Sequence, residues 1–134
     1  MSAVGAGHLE TGEWGERTAA RFLKKKGYRI LGSRVAVGRR DEIDLVARDG
    51  RCLVFVEVKT RGSERYGRPS AAVDRAKRRT LSRAAVRYLQ AVRARPVNFR
   101  FDVVEIVGVP NGPEPLARHI ENAFPLDARY SLPW

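Results

Sequence analysis

Glu57, Lys59 and Asp44 are the residues of this chain best placed to do chemistry together. Glu57-Val58-Lys59 follows a run of strand-forming residues, Cys52-Leu53-Val54-Phe55-Val56, and Glu42-Ile43-Asp44 lies just upstream. Strand side chains alternate faces, so Leu53, Phe55, Glu57 and Lys59 share one side and Val54, Val56 and Val58 the other. A carboxylate and an ammonium therefore project from one face at the end of a hydrophobic strand. Burying either alone is costly, so they need each other, water or a metal ion. Asp49-Gly50 reads as a two-residue hairpin turn, glycine supplying the positive φ of a type I′ turn. Centred there, the hairpin pairs Arg48 with Arg51, Val46 with Leu53, Asp44 with Phe55 and Glu42 with Glu57. Asp44 then shares the face of Glu57 one diagonal step away, at roughly 7–8 Å between backbones. Two carboxylates beside a lysine fit a hard cation such as Mg²⁺, which takes one or two carboxylates plus substrate phosphate. The plain alternative is a salt-bridge cluster at the sheet edge.

Helices and strands must hold these groups in place. A first helix is predicted from about Glu13 to Lys26, after a loose lead-in over 1–11, with Gly27 as its stop and three lysines suiting its C-terminal dipole. Strands follow over Tyr28 to Val35, Asp41 to Arg48 and Arg51 to Thr60. A basic loop runs through Arg68, and Pro69-Ser70 opens a long helix that ends before Pro96. Asn98 to Val109 alternates as a fourth strand, and 110–134 reads as a tail packing on a core of 12–109, with a last strand or turn near Ala117–Ile120. A helix bridging the third and fourth strands implies a crossover and a mixed sheet with helices packed on it. Glu16 falls in line with Ala20, Leu23 and Gly27, and Lys77 with Val73, Leu81, Ala84 and Tyr88. A charge on each apolar stripe either belongs to a site or snorkels to water from the first helical turn.

Composition narrows the class. The chain has 134 residues, enough for one domain with a sizeable core, and 43% hydrophobic with 31% charged residues is a soluble globular profile. No apolar run approaches the roughly 18 residues of a membrane span, and no signal-like segment opens the chain, so a cytoplasmic protein without membrane contact is expected. Cys52 is the only cysteine, which excludes an internal disulfide and a cysteine-cluster metal site. Lys plus Arg is 26 against 15 acids, a net +11. The arginines come in groups: Arg39 and Arg40; Arg61, Arg65 and Arg68; Arg75, Arg78, Arg79 and Arg83. Such clusters match phosphate geometry and point to a nucleic acid. No glycine-rich phosphate loop supports kinase or dinucleotide chemistry. His8 and His119 are too isolated for a metal pair, and Asp102 on the fourth strand reads as a structural ion-pair partner.

The order of elements and the residues Glu16, Asp44 and Glu57-x-Lys59 resemble the PD-(D/E)xK (restriction endonuclease-like) nuclease superfamily. The resemblance is closest to the small bacterial YraN family, similar in pattern to archaeal Holliday-junction resolvases. Its marks are Gly15-Glu16 with Ala19-Ala20 and Leu23, Lys26-Gly27-Tyr28, Glu42-Ile43-Asp44-Leu45-Val46-Ala47, Val54 through Arg61, Gly67 with Pro69, Lys77, Arg100 through Val104, and His119 through Phe124. The family's usual glycine before Glu42 is Asp41 here, an acid that either joins the site or offsets Arg39 and Arg40. The resemblance implies one α/β domain with a mixed sheet flanked by helices in the core order αβββαβ. It implies Mg²⁺ or Mn²⁺ on Asp44, Glu57 and the Val58 carbonyl, and Lys59 orienting the attacking water. Glu16 completes the acidic pocket, while Arg39, Arg40, Arg61, Arg65, Arg68, Lys77 and Arg78 hold the nucleic acid. The implied reaction is hydrolysis of DNA phosphodiesters, in branched, single-stranded or double-stranded DNA, by a protein that pairs as a homodimer on symmetric substrates. The competing readings are a catalytically silent nucleic-acid-binding protein of the same fold and an RNA-binding protein. The latter lacks the aromatic motifs that base stacking requires.

Overall fold

A computed structural model describes residues 4–62, 73–92 and 98–130 of the chain. Its elements are α1 (Val4–Lys25), β1 (Arg29–Val37), β2 (Asp41–Asp49), β3 (Cys52–Arg61), α2 (Arg75–Val92), β4 (Asn98–Val107) and β5 (Leu116–Phe124). The five strands form one sheet in the order β1-β2-β3-β4-β5. All neighbours are antiparallel except β3 and β4, which are parallel and joined through α2. The expected αβββαβ order is therefore present, in a single α/β domain. Residues 110–134 are more than a tail, because β5 extends the hydrogen-bonded sheet from Val107↔Leu116 to Phe101↔Phe124.

Apolar side chains on both faces of the central strands bury the sheet between the helices. Leu53, Phe55, Phe101 and Val103 pack with Leu81, Ala84, Ala85 and Leu89 of α2 on one side. Val54, Val56, Val104 and Ile106 pack with Ala19 and Leu23 of α1 on the other. This explains why β3 and β4 read as nearly continuous apolar runs. The helix ends follow local chemistry. Gly27, at φ 96°, closes α1 with the amide of Tyr28 bonded to the Leu23 carbonyl at 3.0 Å and its own amide to Lys24 at 3.0 Å, a Schellman pattern. Helix α1 begins at Val4, inside the expected lead-in, because extending a nucleated helix backwards requires only one residue's order per bond, even through glycines. Helix α2 begins at Arg75 rather than at Pro69-Ser70, which lie outside the described residues. Asp74 caps it by accepting the Lys77 amide at 2.8 Å.

Two buried aspartates tie neighbouring elements together. Asp102, fully buried on β4, accepts bonds from Arg100 Nε at 2.9 Å and the Asn122 amide at 2.9 Å, and meets His119 Nε2 at 2.8 Å. Lys26 lies 2.7 Å from His119 Nδ1 and can only donate, so Nε2 carries the proton given to Asp102. Asp102 is thus the structural partner the sequence indicated. Asp41 does not join the site, and the charge of Arg40 acts on it behind those of Arg83 and Arg87. Its buried carboxylate takes both arms of the Arg83 fork at 2.8 Å each, tying β2 to α2. That fork holds the Asp41 carboxyl below its ordinary range.

Burial by itself would raise the Asp102 pKa, but the bonds from His119, Arg100 and Asn122 outweigh it and the net shift is downward. A depressed carboxyl contributes stability above its unfolded pKa of about 3.9 and loses it as pH falls through the folded value. Asp102→Ala is expected to cost about 3–5 kcal/mol, since it strands buried cationic and polar partners. Urea unfolding should show that cost at pH 7 and a smaller difference from wild type near pH 2.

Candidate active site

Asp44 and Glu57 meet where the β2–β3 ladder stops, with Lys59 farther along β3 and Glu16 beside them on α1. The ladder's pairs run from Asp49↔Cys52 to Leu45↔Val56, so the turn is centred on Gly50 and Arg51 rather than on Asp49 and Gly50. Gly50 alone of the two carries a positive φ, 60°, the pattern of a turn with glycine in its first central position. The pairing differs from the expected one by two residues, which leaves every side chain on its predicted face. It also brings Asp44 directly opposite Glu57 instead of diagonal to it. Past Leu45↔Val56 the ladder gives way: Asp44 Oδ2 accepts the Val58 amide at 2.9 Å in place of a backbone carbonyl. The N–H and C=O of one strand residue face the same neighbour, so the Val58 carbonyl also looks toward Asp44.

The Asp44 and Glu57 carboxyls lie within hydrogen-bond reach of each other across the two strands. Burial, then the charge and hydrogen bond of Glu57, push the Asp44 pKa up to about 7 against the opposing Val58 amide and Lys77. Glu57, 12% exposed, is met at 3.5 Å by Lys77 Nζ, the lysine expected to hold substrate. Lys59 is half-buried two residues along β3, on the face of Glu57 and in register with Glu105 of β4.

Glu16 reaches the same end of the sheet from α1. Gly15 makes this possible, because a methyl group there would overlap the Thr60 hydroxyl at the end of β3. Burial raises the Glu16 pKa, opposed by the Arg34 hydrogen bond and reinforced by the charge of Asp44. Arg34 Nε holds Glu16 Oε1 at 2.6 Å. Among the described residues, no three His, Cys, Asp or Glu side chains cluster closely enough to hold a metal ion together. The carboxylate pair Asp44 and Glu57 is the convergent set, and Glu16 stands beside it, engaged by Arg34. A pair of touching carboxyls with an adjacent backbone carbonyl fits Mg²⁺ or Mn²⁺, which keep several waters and take few protein ligands.

The basic residues divide. Arg39 and Arg40 are exposed at the β1–β2 turn, and Arg61 is half-buried at the end of β3. Arg78 donates to the Val73 carbonyl at 2.7 Å and lies over the Phe124 ring, so part of its reach goes to packing. Arg65 and Arg68 lie outside the described residues. Two residues near the site escaped the sequence reading. Glu105 is 1% exposed, and among the described residues its Oε2 has no hydrogen-bond partner. Its signal is a carboxylate in the phase of Phe101 and Val103. Arg34 has φ 47°, and the other non-glycine residues of positive φ among those described are the asparagines Asn111 and Asn122, which tolerate it. For arginine this conformation costs about 1 kcal/mol or more. Nothing in the local sequence announces it.

A raised carboxyl contributes stability below its unfolded pKa, near 4, and loses it as pH rises through the folded value, about 7. The cation-free protein is therefore expected to lose up to about 1.4 kcal/mol per pH unit across that window. Urea midpoints at pH 5 and pH 8 test this. Asp44→Asn should flatten the loss, and saturating Mg²⁺ should reverse it at pH 8.

Comparison with known proteins agrees over the segment that builds this site. Residues 15–106 match the model of the uncharacterised protein family UPF0102. A UPF0102 protein of Symbiobacterium thermophilum is 51% identical over 113 residues, covering 84% of this chain and 94% of that protein. One of Trichlorobacter lovleyi is 42% identical over 127 residues, covering 94% of this chain and 98% of that protein. No helix among the described residues is long and apolar enough to cross a membrane. With the match running from Gly15, against Thr60, to Ile106 at the end of the buried β4 run, the chain belongs to the UPF0102 family, the YraN type.

Proposed function

We propose that this protein is a PD-(D/E)xK-type nuclease that hydrolyses DNA phosphodiester bonds with Mg²⁺ or Mn²⁺. The observation that carries the reading is the pair Asp44 and Glu57, two carboxyls in contact at the open end of the β2–β3 ladder with Lys59 two residues on. A divalent cation seated there supplies Lewis-acid polarisation of the phosphate and a more acidic water. Asp44 and Glu57 would hold it, with the Val58 carbonyl facing the same space. Lys59 would orient the attacking water and stabilise negative charge developing on the phosphate. Lys77, 3.5 Å from Glu57, partners that carboxylate and would yield it to a cation bound there. The net +11 charge favours a polyanionic substrate, and branched DNA follows from the resemblance to resolvases.

A second reading, a DNA-binding protein without turnover, is favoured by the hold of Arg34 on Glu16. Cleavage of branched, flapped and linear DNA with Mg²⁺ or Mn²⁺ separates the two. Wild type should cut, and Asp44→Ala and Lys59→Ala should each lose about 100-fold or more, as when a group that acts on the transition state is removed. Equal activity in all three proteins would remove the site assignment. Binding without cleavage under either metal would select the second reading.

A further inference from the structure

Arg34 is built into its position by unusual backbone. The β1 register shifts between Ile30 and Gly32, a bulge, and a methyl at Gly32 would crowd Val35 Cγ2 at 2.8 Å. Two residues on, Arg34 adopts φ 47°. Bulges re-aim side chains beside active sites, and strained non-glycine residues persist where their side chain has a task. Here the bulge and the left-handed turn bring the guanidinium to Glu16 at 2.6 Å, with Arg34 37% exposed and Glu16 16%. The same guanidinium faces a cleft of about 390 Å³ between α1 and β1, bordered by Glu13, Arg17, Lys24 and Ser33. Arg17, Lys24, Arg34 and the Ser33 hydroxyl line this open cleft together with the carboxylates Glu13 and Glu16, and of its cations Arg34 is the one bonded to a candidate site residue.

We propose that the α1–β1 cleft is a phosphate subsite and that Arg34 is its positioning residue, exchanging Glu16 for a phosphodiester of the bound strand. The occupant rests on the reading that the substrate is DNA. In the free protein Arg34 neutralises Glu16 and keeps it out of the Asp44–Glu57 pair. A backbone phosphate in the cleft offers the guanidinium a bidentate partner of equal charge, with Arg17 and Lys24 beside it, and Glu16 is released from Arg34. Substrate binding and completion of the acidic pocket are thereby the same event. The exchange moves no covalent bond and requires no proton transfer. It competes one anion against another for a single cation.

The test is binding of a labelled short duplex and a labelled four-way junction in EDTA, followed by fluorescence anisotropy across a salt series. Arg34→Gln should bind about tenfold more weakly, with the salt slope shallower by about one. Arg34→Gly should show the same loss while easing the left-handed backbone, so that its unchanged or higher Tm separates lost contact from lost fold. Glu16→Gln should bind severalfold more tightly, because the guanidinium is no longer shared. The double variant Glu16→Gln/Arg34→Gln should fall back to the level of Arg34→Gln. Glu13→Gln removes an equal charge from the same cleft and should give no comparable gain. Glu16→Gln binding like wild type, or a gain that survives the loss of Arg34, overturns the exchange. Wild type that binds DNA without ever cutting it refutes hydrolysis and leaves the exchange standing. Wild type that cuts while the variants bind alike refutes the exchange alone.

Discussion

Two carboxyl groups are held against each other at the mouth of the sheet, and much of the surrounding structure exists to make that arrangement bearable. Burial first, and then the nearby charge of Glu57, push the Asp44 carboxyl up to about 7. The Val58 amide and the Lys77 ammonium each offset part of the cost. Neither removes it, so the pair remains receptive to a cation of higher charge. The end of backbone pairing after Leu45↔Val56 gives Asp44 its amide and leaves the strand edges open at the same place.

The rest of the charge inventory is settled away from this point. Asp102 with Arg100 and His119, and Asp41 with Arg83, pair buried acids with fixed donors. These aspartates are held below their ordinary range, whereas Asp44 and Glu16 are raised. The same residue type is thus used in two ways, and the sign of the shift separates scaffold from candidate site. The Asp41–Arg83 fork also shows how a buried acid on the sheet is accommodated, since it meets an arginine one layer away.

Face and phase were the legible part of this chain. Alternation along β3 put Glu57 and Lys59 on one side, and the observed two-residue difference in pairing could not disturb that, because strand periodicity is two. Which pair of residues forms the turn was less legible, since Asp49-Gly50 and Gly50-Arg51 both contain the glycine that tolerates a positive φ. The start of α1 was hidden by glycines whose weak propensity is overridden once a packed helix exists downstream. The start of α2 was obscured by Pro69, although Asp74 three residues before Lys77 is itself a cap signal. Arg34 was out of reach, because its role depends on a bulge and a dihedral angle that composition does not encode. Glu105 was visible only as an acid in an apolar phase.

The close seat of Gly15 on Thr60 has a mechanical consequence. A contact with no spare volume acts as a fulcrum for the helix that rests on it. When α1 rocks against the sheet, residues farther along it sweep the larger arcs, and Glu16, one position from the fulcrum, sweeps the smallest. Its carboxylate is therefore repositioned by turning its own side chain, a fast local motion, rather than by moving twenty-two residues of helix. Among the described glycines of α1, Gly15 is the one where an added carbon would overlap its neighbour.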